Sequence, residues 1–288
     1  MNILCLFCLF KLGLAAIANS SLHSLQLKNV FGSHDRSNIS LISLNTYILE
    51  ETRESSQIEN ILGLIRSYHP AILALQGFSE TGFQFLREKI SKHYGVLCKD
   101  FENIDARMNK KEYIPVFYDK SLLQGVQSIG IKTGSLTHTC MAVLNNKFTN
   151  KYFSVVNLDL YSANETTTDV QFSKVLKVIM DSDFYKFPIF ITGTINAVSH
   201  NLNRLMHTTF RNIYDLDIGN VGLNKNTFHN HGKINDGVQR DFILLKNQPG
   251  YFFDLHSRIL SDFPKDNLDH YPVYLSFRNN PANPQIKY

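Results

Sequence analysis

The stretch ITGTINA, residues 191–197, closes an apolar run that begins at Phe187. Gly193 permits a sharp turn or a close backbone approach that a side chain would block. Asn196 sets an amide at the C-terminal edge of a strand, where open α/β sheets bind ligands. No carboxylate stands in the stretch itself. The acids lie elsewhere: Asp159 in FSVVNLDL, Asp241 in RDFILLKN and Asp269 in LDHYPVYLSF. Gathered round one pocket, three carboxylates would hold a hard cation such as magnesium, which takes oxygen ligands in octahedral geometry. His270 follows Asp269 directly, and a carboxylate bonded to an imidazole favours its charged form.

Other residues invite chemistry less strongly. His229 and His231, in FHNHG, stand two apart and suggest a metal pair, but no cysteine stands at a matching distance, and histidines of a surface loop explain them as well. Arg211 and Arg240 suit either an anionic ligand or solvent. Tyr113, Phe117 and Tyr118 offer rings for stacking on a base or sugar, or for core and edge packing.

These residues need elements to carry them. ISLISLN, residues 39–45, alternates apolar and polar as a strand does, and Asn45 ends it. Ile58, Ile61, Leu62 and Ile65 recur at helical spacing, and Pro70 stops that helix. AILAL, residues 71–75, suits a buried strand. Phe83, Leu86 and Ile90 mark a second helix, and the apolar positions from Val170 to Met180 a third. Further strands are expected over Tyr94–Cys98, Tyr113–Tyr118, Phe153–Leu160, Phe187–Thr192, Phe242–Leu245 and Val273–Phe277, with one more carrying Cys140. Residues 200–238, rich in Asn and His, read as long surface loops. Strands alternating with helices, then strands alone, predict one α/β domain.

Composition narrows the partners. In 288 residues, hydrophobic side chains make up 43%, enough for a large core, and the net charge is +4. Lysines and arginines are scattered, which argues against the concentrated basic stripe of a strong nucleic-acid binder. Ile3–Ala18 is almost wholly apolar and ends in Ala16-Ile17-Ala18, a small-x-small cleavage pattern. Residues 1–18 are therefore expected to be a signal peptide, although Lys11 interrupts the run and an uncleaved anchor is the alternative. The mature chain is expected to be extracellular, with no transmembrane span. Residues 19–37 form a lead-in, 38–278 the domain and 279–288 a tail. Cys5 and Cys8 fall in the leader. Cys98 and Cys140 remain, and an oxidising compartment would let them pair if their Cα atoms come close enough. Asn38-Ile39-Ser40 and Asn164-Glu165-Thr166 are glycosylation sequons.

The order of segments now carries a resemblance. ISLISLN, AILALQGFSE, EYIPVFYDK, FSVVNLDLYSA, FPIFITGTINA, RDFILLKN and LDHYPVYLSF follow one another as in the endonuclease/exonuclease/phosphatase superfamily, the DNase I-like fold of nucleases, deadenylases, sphingomyelinases and inositol phosphatases. NTFHNHGKIND, residues 226–236, is similar to a threonine-phenylalanine-histidine segment of one subgroup. The resemblance implies a two-sheet α/β sandwich with helices on its outer faces, a magnesium pocket at the strand ends, and in-line attack of water on phosphorus. It places Asn45 near the metal, Asn196 in the turn after the strand, Asp241 against the base histidine, and Asp269-His270 as the terminal pair.

The same resemblance shows losses. Gly77 stands where the family has a metal-binding glutamate, Asp159 where it has a phosphate-contacting histidine, and Thr194 where it has an aspartate. Glu80 lies three residues beyond Gly77 and is the nearest substitute. The sequence therefore predicts an impaired or inactive centre that binds a phosphorylated ligand, nucleic acid or protein partner without a cofactor. The competing expectation is an active phosphodiesterase using magnesium or manganese on a rearranged site that includes Asp159 and Asp269.

Overall fold

The computed structural model describes residues 38–46, 54–105, 110–134, 138–160, 165–195, 203–204, 210–213, 226–229, 239–246, 251–263 and 268–279. The expected leader, the lead-in and all of the tail but Asn279 lie outside these residues, as do Asn164, Asn196 and His231.

Strand β1 (Asn38–Asn45) pairs in parallel with β2 (Ile72–Gln76), because helix α1 (Glu54–Tyr68) carries the chain back between them. Ile58, Ile61, Leu64 and Ile65 are the buried face of α1. The helix stops where His69 turns to φ 45, with its N–H on Ile65 O at 3.0 Å, one residue before Pro70. Helix α2 (Glu80–Ile90) begins with the Ser79 hydroxyl accepting Gly82 N–H at 3.0 Å, which satisfies one of the helix's unpaired donors. Strands β3 (Tyr94–Leu97) and β6 (Val116–Asp119) complete this side. With β13 (Phe252–Ile259) and β14 (Val273–Asn279), the order across the first sheet is β13-β14-β1-β2-β6-β3.

The second sheet runs β11 (Arg211–Asn212), β12 (Asp241–Lys246), β10 (Ile189–Ile195), β9 (Lys151–Leu160), β8 (His138–Asn146) and β7 (Leu123–Lys132). Helix α3 (Glu165–Asp181) links β9 to its parallel neighbour β10. The sheets stack face to face over Phe153, Phe190, Phe252 and Phe277, and Phe190 lies 4.8 Å from Phe277 between ring centroids. Helices α1 and α2 cover the outside of the first sheet, and α3, through Phe172, Val175 and Ile179, covers the second. This is the expected two-sheet sandwich with helices on the outer faces. No helix among the described residues is long and apolar enough to cross a membrane.

Two expectations need correcting. Residues 113–118 are not one strand. Pro115 has no N–H to give a ladder, so the chain breaks there. Tyr113 ends β5 (Lys110–Tyr113), which pairs with β4 (Glu102–Asp105) in a separate ribbon, while Phe117 and Tyr118 belong to β6. Nor are residues 200–238 all surface loop. Phe210, Ile213, Asn226, Thr227 and His229 are buried.

A covalent bond closes one side of the sandwich. Cys98, just after β3, and Cys140, in β8, form a disulfide with Cα atoms 5.8 Å apart. Both are fully buried.

Candidate active site at the strand ends

Register brings the candidate residues together. Thr194 sits opposite Asp159 on one neighbouring strand and opposite Asp241 on the other. The three residues form a row across the second sheet, at the C-terminal ends of β9 and β10 and the start of β12. Asn45, at the end of β1, reaches this row from the first sheet. Its amide Nδ2 donates to Thr194 Oγ1 at 2.8 Å and to Asp159 Oδ2 at 3.3 Å. The Thr194 hydroxyl then donates to Asp241 Oδ1 at 2.7 Å. The other oxygen of Asp241, Oδ2, takes Nδ1–H of His270, also at 2.7 Å. Asp269 Oδ1 lies 3.8 Å from the far nitrogen of His270. Thr194, Asp241 and His270 are all buried.

A short segment props up this arrangement. Thr227 Oγ1 accepts the N–H groups of both Arg240 and Asp241 at 2.9 Å, fixing the start of β12. Thr227 O accepts Tyr271 N–H, and Asp269 O accepts His229 N–H, each at 2.8 Å. Phe228 stands edge-on to His270, 5.0 Å between centroids, and the Arg240 guanidinium lies 4.0 Å above Phe228. His229 packs on Tyr271 at 4.2 Å and is 2% exposed, so it is a core histidine rather than a loop one. Arg240 is a stacked, half-buried cation rather than a solvated one; Arg211 is exposed. Sequence reasoning passed over Thr227 as an anchor, although it stands in the NTFH segment. Tyr113 and Phe117 are core residues stacked around Phe83. Glu80 opens α2 on an exposed position.

Beneath the site, Asn157 fastens the sheets to each other. Its Nδ2 donates to Leu75 O at 2.8 Å and to Ile114 O at 3.1 Å, and its Oδ1 accepts Gln76 Nε2 at 2.6 Å. Thr46 donates to Gln76 O at 2.8 Å and holds the turn that follows, where Gly77 adopts φ 65.

These donors do not fit magnesium. Gly77 brings no side chain. A carboxylate can only accept, so Asn45 must turn its amide nitrogen, not its oxygen, toward Asp159. The Thr194 hydroxyl is committed on both sides. Among the described residues no group of three His, Cys, Asp or Glu side chains is placed to hold a metal ion.

Electrostatics act on His270. Burial alone would lower its pKa. The charge and hydrogen bond of Asp241, then the charges of Asp269 and Asp159, outweigh burial and raise it to about 9. The pairing with Asp241 thus favours the charged imidazole of His270. The raised value also sets a pH dependence. The histidine contributes stability fully below about pH 6.5, and that contribution is lost as pH climbs through about 9. An NMR titration should place His270 near pH 9, and Asp241→Asn should lower the midpoint and flatten stability across that window. A midpoint unmoved by Asp241→Asn would mean that the pair does not set it.

Comparison with known proteins agrees with this architecture. No family model matches the chain. An uncharacterised protein of Encephalitozoon cuniculi is 27% identical over 213 residues, covering 73% of this chain and 68% of that one. Among solved structures, the endonuclease/exonuclease/phosphatase of Bacteroides vulgatus superposes with a TM-score of 0.70 at 17% identity, covering 84% of this chain and 99% of its own. The catalytic domain of human Nocturnin, with bound sulfate, gives 0.65 at 16%, covering 85% and 95%. D. rerio TDP2 complexed with a single-stranded DNA product gives 0.65 at 16%, covering 84% and 100%. The two stacked six-stranded sheets with helices on their outer faces are those of the DNase I-like fold, the fold of the endonuclease/exonuclease/phosphatase superfamily.

Proposed function

We propose that this chain is a secreted protein of DNase I-like fold that no longer hydrolyses phosphoesters at a useful rate and binds a partner through the face where its strands end. One observation carries the reading. The residue in the acid's place, Thr194, is neutral and fully buried, and its hydroxyl is tied between Asn45 and Asp241. Gly77 removes a second group, and Asp159 sets an anion where a phosphate would need a donor. Loss of one acid–base group typically costs ~10²–10⁴-fold in rate. Groups that act as a unit lose most of the rate together rather than in proportion. The DNA product on TDP2 and the sulfate on Nocturnin make an anionic or phosphorylated partner, held away from Asp159, one class to screen alongside protein partners.

Secretion belongs to the same proposal. The apolar Ile3–Ala18 run and the buried Cys98–Cys140 bond support it, since such bonds persist in oxidising compartments. Protein from a eukaryotic secretory host should begin near Asn19; cytosolic protein with intact Met1 would count against it.

Turnover tests the loss of catalysis. Wild type is expected to leave bis(4-nitrophenyl) phosphate untouched in magnesium or manganese. A triple variant, Gly77→Glu with Thr194→Asp and Asp159→His, should hydrolyse it at least ~100-fold faster. No single change should suffice, because the groups must be held together within about 0.5 Å of working geometry. The glutamate at φ 65 costs roughly 1 kcal/mol, so circular dichroism must first show a folded triple variant. Robust wild-type turnover that disappears on Asp159→Ala would overturn the reading in favour of a metal-dependent phosphodiesterase built on Asp159, Asp241 and Asp269.

A further inference from the structure

We infer that the hydrogen-bonded series Asn45–Thr194–Asp241–His270 ties off both carboxylate oxygens of Asp241 without a metal, and that Thr194 is the positioning residue that makes it so. The inference rests on the reading above and adds the residue that decides it.

Asp159 and Asp241 flank Thr194 on adjacent strands, so two carboxylates converge on one residue. Like charges brought together need a compensating proton, donor or cation. Here the compensation comes from the chain itself. A hydroxyl has one hydrogen to give and lone pairs to receive. Thr194 spends the hydrogen on Asp241 at 2.7 Å and receives Asn45 at 2.8 Å. His270 supplies Asp241 from the other side at 2.7 Å, and Asn45 supplies Asp159 at 3.3 Å. An ionised aspartate at position 194 reverses the sign of one link. It has no hydrogen for Asp241, and two acceptor oxygens would face each other at hydrogen-bond distance. Such a site must recruit a cation or a proton. One side chain therefore separates a metal-indifferent pocket from a metal-requiring one, and it does so at the junction of both sheets.

Thermal melts of the mature protein in EDTA and in millimolar manganese test this at neutral pH. Wild type should melt at the same temperature in both, and so should Thr194→Ser, which keeps the hydroxyl. Thr194→Val leaves Asn45 Nδ2 and Asp241 Oδ1 without their shared partner, and should melt on the order of 5 °C lower in both. Thr194→Asp should lose a similar amount in EDTA and regain it in manganese. Should that variant fail to fold, wild type and Thr194→Val still decide. A wild-type melting temperature that rises by several degrees in manganese would overturn the inference, as would Thr194→Val melting like wild type. Failure here is separable from failure of the functional reading. A manganese-stabilised wild type that remains inert removes the lock and leaves the reading, whereas wild-type turnover removes the reading.

Discussion

Gly193→Ala is expected to yield no soluble folded protein. Gly193 lies mid-sheet, between Leu158 of β9 and Phe242 of β12, with strands bonded on both sides. Its backbone stands at φ +128, a region that residues with a Cβ rarely enter. A Cβ built there would fall 1.8 Å from the carbonyl oxygen of Leu158, which is itself held in the ladder. No side chain can move aside, so the two central strands must part. Losses above about 4 kcal/mol come from few mechanisms, and a forced backbone clash at a glycine-only conformation is among them. Against a total of about 5–15 kcal/mol for a domain, that is most of the stability. Soluble yield and near-ultraviolet circular dichroism would read the result. An alanine variant melting within about 2 °C of wild type would show that the strand can relax there.

Loss of the Cys98–Cys140 bond should be the next largest effect. It closes a loop with a sequence separation of 42. Chain entropy for a loop of that size gives about 4 kcal/mol, or on the order of 10 °C in melting temperature. The double variant Cys98→Ala with Cys140→Ala should show this in calorimetry. Reductant should lower wild type to match and leave the double variant unchanged. A double variant that melts like wild type would mean that the unfolded chain gains little freedom when the bond is lost.

The sequence revealed the elements that bury a regular face. ISLISLN and FSVVNLDL were legible because one side of each is apolar, and α1 because its isoleucines recur at helical spacing. Strand β7, LQGVQSIGIK, was not, since it is an edge strand, largely exposed and interrupted by glycines. Strand β13 escaped for the same reason, with a bulge between Phe253 and His256. Pro115 concealed a change of sheet inside an aromatic run that looks uniform. At the site, Asp241 and His270 could be named as partners from segment order alone. Thr194 could be seen only as an absence of acid. That its hydroxyl serves both Asn45 and Asp241 depends on the register of three strands and on the spacing of two sheets, and no local pattern encodes either. Thr227 is similar: its value comes from the N–H groups of Arg240 and Asp241, which its hydroxyl meets where β12 begins.

The bond between Asp241 and His270 has a practical consequence. Its hydrogen lies between two side chains that are 2% and 6% exposed. Solvent can replace it only when the surrounding structure opens, so its exchange rate measures how often this end of the sandwich breathes. A nucleus so placed, beside Phe228 and Asp269, also changes its resonance when anything docks nearby. It is a built-in reporter through which a binding partner can be detected before it is identified.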